Sequence, residues 1–291
     1  MHPAPSIILF TTLSGLGFGL IGWIGLGARP LAGWAGLALA LLALALACGG
    51  LLASLAHLGQ PQRFLKAFTQ WRSSWLSREA VCSTATLSLF ALLVAADLLL
   101  GVRLAPLGWL VTALALATVI ATAMIYAQMK TVPSWRSPFT PLAFLTASAA
   151  GGAILAGRAP AAVALLLALG LIVVLDAWRG GTRFARAGST LATATGLGQL
   201  GRLRLLEPPH TGQNYLLREM VHVVGRRHAA KLRAFAFVLA VALPLALLLV
   251  LPGRPVVLAL AGLLHLGGML VFRWLFFAQA EHVVGLYYGR R

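Results

Sequence analysis

The sequence predicts an all-α, polytopic membrane protein with eight transmembrane helices grouped as two four-helix bundles. Three observations predict it. The 291 residues are 60% hydrophobic and only 10% charged, where a soluble domain carries about 25% charged residues. The apolar residues come in runs of roughly 20, the length a helix needs to cross a hydrocarbon core of about 30 Å. The runs are also too long and too evenly apolar for the alternating strands of a barrel, whereas a helix satisfies its own backbone in lipid.

Taken in order, the predicted spans are Pro5–Gly27, Gly33–Ala56, Glu79–Gly101, Pro106–Gln128, Phe139–Gly157, Pro160–Trp178, Arg233–Leu251 and Pro255–Phe277. No Lys or Arg precedes the first span, so it reads as a retained helix rather than a cleavable secretory signal with a basic leader. Pro, Gly and charge mark the boundaries: ARPLAG, GVRLAP, GRAP and PGRP are compact turns after spans one, three, five and seven. The other connections are long and basic. Residues 1–135 are expected to form the first bundle and 136–291 the second, joined through MKTVPSWRSPFTP. Small residues crowd SGLGFGLIGWIGLG and SAAGGAILAG, as close helix packing requires.

The net charge of +17 follows the same alternation. Eighteen basic residues fall on the side that holds both termini and the long loops, against four on the side of the short turns. The positive-inside bias then places both termini and the long loops in the cytoplasm. Charge used to orient helices is not a nucleic-acid signal. The loop 179–232 is too long for a turn, and NYLLREMVHVVGRRHAAKLR within it has the mixed apolar and basic spacing of an interfacial helix or a docking face.

Chemistry concentrates in HLGQPQRFLKAFTQWRSSWLSRE, from His57 to Glu79, between spans two and three. An imidazole closes one span and a carboxylate opens the next. His57 titrates near neutral pH and can pass protons. Glu79 stands where a helix N-terminus favours its charge, with Ser77 as the candidate cap. Tyr126 ends span four on the same side. Trp71 and Trp75 are interfacial aromatics and candidate stacking walls, and Arg63 and Arg78 could hold a partner or tune the acid–base pair. Such a pair at a membrane surface suits a lipid-soluble molecule that gains or loses protons, a quinone. The competing reading of Glu79 is an ordinary first-turn acid.

Other intramembrane ionisable groups are functional candidates by default, but Asp97 and Asp176 sit near span ends. His265 is expected to bond a neighbouring helix, and Arg273 to snorkel to the basic surface. Cys48 and Cys82 read as small core residues. Nothing has the spacing of haem ligands, an iron–sulfur or zinc motif, or a phosphate loop, so no haem and no metal is expected in this chain. A transporter, which would want acids or broken helices at mid-membrane, and a purely structural anchor remain as alternatives.

The N-terminal MHPAPSIILFTTLSGLGFGL, the HLGQP turn, the WLSRE entry, the MIYAQMKTVPSW exit and NYLLREMVHVVGRRHAAKLR together resemble the membrane anchor subunit of dimethyl sulfoxide reductase, related to polysulfide reductase/NrfD-like anchors. The resemblance runs essentially end to end. It implies an anchor without a redox centre that binds menaquinone or ubiquinone beside a ferredoxin-like subunit with four 4Fe–4S clusters, wired to a molybdopterin catalytic subunit. It also implies that His57 and Glu79 are the quinone-site acid–base residues and Tyr126 a quinone contact. A cytoplasmic placement is similar to the anchor of sulfite-oxidising molybdoenzymes. The alternative is a menaquinol-oxidising anchor of the dimethyl sulfoxide reductase type.

Overall fold

A computed structural model describes the chain except for residues 1, 30, 57–58, 181–182, 208–209, 211, 213, 215, 217–227, 252 and 290–291. Every regular element among the described residues is helical. Among the described residues seven helices are long and apolar enough to cross a membrane: α1 (Pro5–Gly25), α2 (Gly33–Leu55), α3 (Trp75–Leu99), α4 (Ala105–Ala127), α6 (Ala159–Gly180), α7 (Ala229–Val250) and α8 (Pro255–Ala278). Between α4 and α6 lies α5 (Phe139–Leu155), apolar but 17 residues long. The segment NYLLREMVHVVGRRHAAKLR falls mostly outside the described residues.

The short turns close as the sequence suggests. Gly27 and Gly157, just past α1 and α5, adopt φ of +79° and +72°, a conformation that costs a side-chain-bearing residue but not glycine. Arg103, after α3, ties its turn to another. It pairs with Asp97 at 3.1 Å and donates to the Ile24 carbonyl at 2.8 Å, at the C-terminal end of α1 where carbonyls lack helical partners. Arg103→Ala is expected to lower stability by about 1–2 kcal/mol, the range for a lost charge-assisted bond to a helix terminus. Thermal unfolding in detergent reads this directly.

α1 is the most enclosed of the seven spans and packs on α2, α4, α5 and α8. Small residues set those contacts. A side chain on Gly17 would meet the Ala47 backbone of α2, and one on Gly25 the Gly108 carbonyl of α4. The tightest seam joins α1 to α5. There Gly19 faces the Ser148 carbonyl, Gly152 faces the Gly19 carbonyl, and the Ser148 hydroxyl donates to the Gly15 carbonyl. Trp23 Nε1 donates to the Ala149 carbonyl at 2.8 Å across the same seam. One buried apolar cluster runs through α1–α4 and takes in Phe144 and Phe277; a second joins α5–α8. α3 packs on α4 and only lightly on α2.

α7 is not a regular helix. Its middle, Val238–Ala242, is a π turn in which Leu243 N–H bonds back to the Val238 carbonyl. Pro244 is the cause: it has no N–H to offer the Ala240 carbonyl, four residues earlier. His265 of α8 takes up that orphan, with Nδ1 at 2.7 Å from the Ala240 oxygen. A carbonyl only accepts, so a ring nitrogen that bonds one must carry a proton, and the shorter contact is the one at Nδ1. Nε2 lies 3.3 Å from the Ala147 carbonyl of α5. The expectation that His265 bonds a neighbouring helix therefore matches its geometry. Arg273 does not snorkel. It is buried, with its guanidinium carbon 3.3 Å from the centre of the Phe144 ring.

Candidate functional site

The entry to α3 is capped by Ser74, whose hydroxyl accepts from the Ser77 N–H at 3.4 Å. Ser77 was the expected cap; it lies instead inside the first turn, and the helix starts at Trp75 rather than Glu79. The shift matters. Glu79 now stands in the second turn and heads a buried stripe of Glu79, Ser83, Thr86 and Phe90, the four-three-four spacing of one helix face. That face meets α4, where Thr118, Thr122 and Tyr126 recur every four residues and are all buried.

The two faces form a polar ladder inside an apolar interface. The Thr86 and Thr118 hydroxyls lie 3.4 Å apart. One turn nearer the basic side, the Thr122 hydroxyl bonds Glu79 Oε1. Glu79 is only 4% exposed, so its carboxyl depends on this partner: a buried charge without one is expensive. The Thr122 oxygen also lies 3.0 Å from the Thr118 carbonyl. A hydroxyl has one proton to give. When Thr122 gives it to Glu79, Glu79 is the ionised acceptor. When Thr122 gives it to the Thr118 carbonyl, a protonated Glu79 donates to Thr122 instead. The pair thus has a satisfied arrangement with Glu79 charged and another with it neutral.

Thr122→Val keeps the shape and removes the hydroxyl. It is expected to destabilise the protein by about 1–3 kcal/mol, the cost of stranding a buried polar partner. Thermal unfolding of the variant beside the parent protein checks this.

Tyr126 follows Thr122 by one turn and lies within electrostatic reach of both Glu79 and Arg273. Its ring sits in an aromatic cage. Trp135 and Phe277 meet it edge-on at 5.4 Å, and Phe276 at 5.6 Å. Trp135 stacks on Phe276 and donates its indole N–H to the Phe276 carbonyl at 2.9 Å. The connection after α4 is thereby pinned to the end of α8. A further cavity of about 20 Å³, room for about one water, touches Thr122, Thr12, His265 and Arg273. Thr12 Oγ1 and Arg273 Nε, both buried, have no hydrogen-bond partner among the described residues.

Of the residues singled out in the sequence, the structure brings Glu79 and Tyr126 together. His57 lies outside the described residues. Arg63 and Trp71 are on the exposed connection that begins with the 3-10 helix Pro61–Phe68. Arg78 follows that connection rather than the carboxylate next to it in sequence. It donates to the Trp71 carbonyl at 3.0 Å and the Arg72 carbonyl at 2.8 Å, and its guanidinium lies 4.3 Å from the Trp75 ring centre. Arg78 therefore clamps the loop onto the head of α3, which fixes where Glu79 enters the membrane. Thr122 and Arg273 were missed as site neighbours. The Thr118–Thr122–Tyr126 spacing was the available signal for the first. No three His, Cys, Asp or Glu side chains among the described residues converge as a metal site would require.

Fold and site define a multi-pass helical membrane protein with a buried carboxylate, held between two spans near their ends on the heavily basic side. The DMSO reductase anchor subunit family matches residues 35–289. The chain belongs to that family and is a membrane anchor. It is 34% identical to a sulfite dehydrogenase subunit of Allochromatium vinosum, across 99% of both chains.

Proposed function

We propose that this anchor exchanges electrons and protons between the membrane quinone pool and an iron–sulfur partner subunit, within a three-subunit molybdopterin enzyme of the sulfite-oxidising type. The observation that carries the reading is the buried Glu79–Thr122 pair. Quinone reduction takes up two electrons and two protons. The electrons would come from clusters in the partner, so this chain's task is protonic. Glu79 holds a proton at the carboxyl, gives it to a quinone carbonyl oxygen, and is satisfied by Thr122 both before and after. His57, which follows α2 in sequence, is the second proton carrier. Tyr126 and its cage form the wall against which the ring is positioned, and Arg63 with the exposed basic loop faces the partner. The likeness to a subunit of a sulfite dehydrogenase supports sulfite as the electron source in the partner chains.

In this reading α5 is an eighth crossing. Its 17 residues rise about 26 Å, and its burial against α1 spares it a full lipid-facing length. The spans then form two groups of four, with both termini cytoplasmic. The same site run in reverse would oxidise menaquinol, which the match to the DMSO reductase anchor family favours. A tagged chain purified from its native membrane decides between them. The sulfite-oxidising reading expects co-purifying iron–sulfur and molybdopterin chains and sulfite-dependent quinone reduction. A complex that oxidises quinol and does not respond to sulfite overturns the direction. A chain that purifies alone overturns the anchor role.

A further inference from the structure

A cleft of about 400 Å³ opens between the first half of α5, the second half of α6 and the end of α8, with Arg233 contributed by α7. α6 packs on the π turn and the second half of α7 and hardly at all on its first half; the cleft occupies that divergence. Its volume is that of a small-ligand site.

Its polar lining is one-sided. Of the four buried side-chain polar atoms without a partner among the described residues, three line this cleft: Ser134 Oγ, Arg273 Nε and Gln279 Nε2. Arg273 is itself only 6% exposed. The Gln279 amide is not free to turn over. Arg233 donates to its oxygen at 2.9 Å, and a guanidinium can only donate, so the amide nitrogen is the end left over. Two of the three orphans are therefore N–H donors and the third is a hydroxyl. A ligand that meets them must present acceptors.

The charges agree. Arg183, Arg233 and Arg273 line the cleft against one acid, Asp176, which Arg183 already pairs. Arg183 also donates to the Ser134 carbonyl at 3.1 Å, which fixes its position. Among the described residues Arg233 and Arg273 have no carboxylate partner, an arrangement that favours an anion. The remaining walls are apolar: Leu169, Ile172 and Val173 of α6, and Phe272 of α8. An acceptor-rich anion on an apolar body fits both kinds of wall.

We infer that this cleft is a binding site for the phosphodiester headgroup of an anionic membrane phospholipid, held by Arg273, Arg233, Ser134 and Gln279, with its acyl chains along α6. The cleft shares Trp135, Phe144 and Phe276 with the surroundings of Tyr126 but includes neither Glu79 nor Thr122, and lipid binding there does not rest on their chemistry.

Native mass spectrometry of the purified full-length protein, in its complex where partners co-purify, tests the site with defined lipids. Phosphatidylglycerol is expected to be retained about tenfold more than phosphatidylcholine, one step of the affinity scale for a charge-assisted contact that a choline cation opposes. Gln279→Glu, which keeps the shape and places a carboxylate at the headgroup, is expected to abolish that preference. Ser134→Ala is expected to weaken it without unfolding the protein, which keeps the test open should Arg273→Met fail to fold. Equal retention of the two lipids, or preference unchanged in both Gln279→Glu and Ser134→Ala, overturns the inference. Displacement of phosphatidylglycerol by millimolar inorganic phosphate would make the ligand free phosphate and overturn the lipid assignment. Displacement by decylubiquinone would make it a quinone site and overturn it as well.

Discussion

Glu79→Gln is expected to lower quinone-coupled turnover by about 10²–10⁴-fold, the usual contribution of a positioned acid–base group, while the protein assembles and melts as before. Glutamine fills the same space, and its amide oxygen still accepts from Thr122. What it cannot do is hold or release a proton. The glutamine NH2 can also donate to Thr122 as a protonated carboxyl does, so both hydrogen-bond arrangements stay satisfied and only the proton transfer is lost. Turnover per assembled complex, with the quinone concentration varied, separates this from weaker binding: the loss should fall on kcat. Glu79→Asp keeps the carboxyl but withdraws it by one methylene from Thr122, and should retain an intermediate rate. Full turnover of Glu79→Gln would leave Glu79 as a structural acid at a helix entry.

Gly152→Leu is expected to prevent stable folding. A side chain there would collide with the Gly19 carbonyl and the Leu20 backbone of α1. Overpacking a side-chain core costs about 1–3 kcal/mol, and here the obstacle is backbone, which cannot change rotamer. Separating α1 from α5 would also strain the bonds from Trp23 to Ala149 and from Ser148 to Gly15. Gly49→Ala is the matched control. Nothing lies within 4 Å of the added carbon at Gly49, and the helix itself favours alanine by about 0.5–1 kcal/mol. The first variant should aggregate on extraction, and the second should melt at or slightly above the parent temperature. Normal melting of Gly152→Leu would mean that the α1–α5 seam is looser than these contacts imply.

The elements legible in the sequence are those governed by local chemistry. Apolar runs marked the long helices, and glycine with charge marked their turns. Small residues marked α1 and α5 as close-packing surfaces. What escaped depends on partners distant in the chain. Thr122 meets Glu79 across 43 positions, and no local pattern in either helix announces the pairing. Arg273 looked like a snorkelling side chain because its distance from the helix end allowed it; Phe144 of α5, well over a hundred positions away in the chain, captures it instead. Arg78 looked like a tuner of Glu79 because the two are adjacent, yet adjacent helical residues point to different faces. The π turn was partly visible in Pro244, but that His265 would take up the freed carbonyl was not. The Ser134–Arg273–Gln279 cleft joins the connection after α4 to the end of α8 and could only be seen once they were packed.

The central claim is that a quinone ring binds against the end of α3 and α4, where Glu79 can reach it. Photolabelling of the intact complex with an azido-quinone, followed by peptide mapping, tests that claim most directly. The expected result is label on the segments around Trp75–Glu79 and Thr122–Trp135, competed away by unmodified quinone. Label confined to other segments, or label that unmodified quinone does not displace, would contradict it.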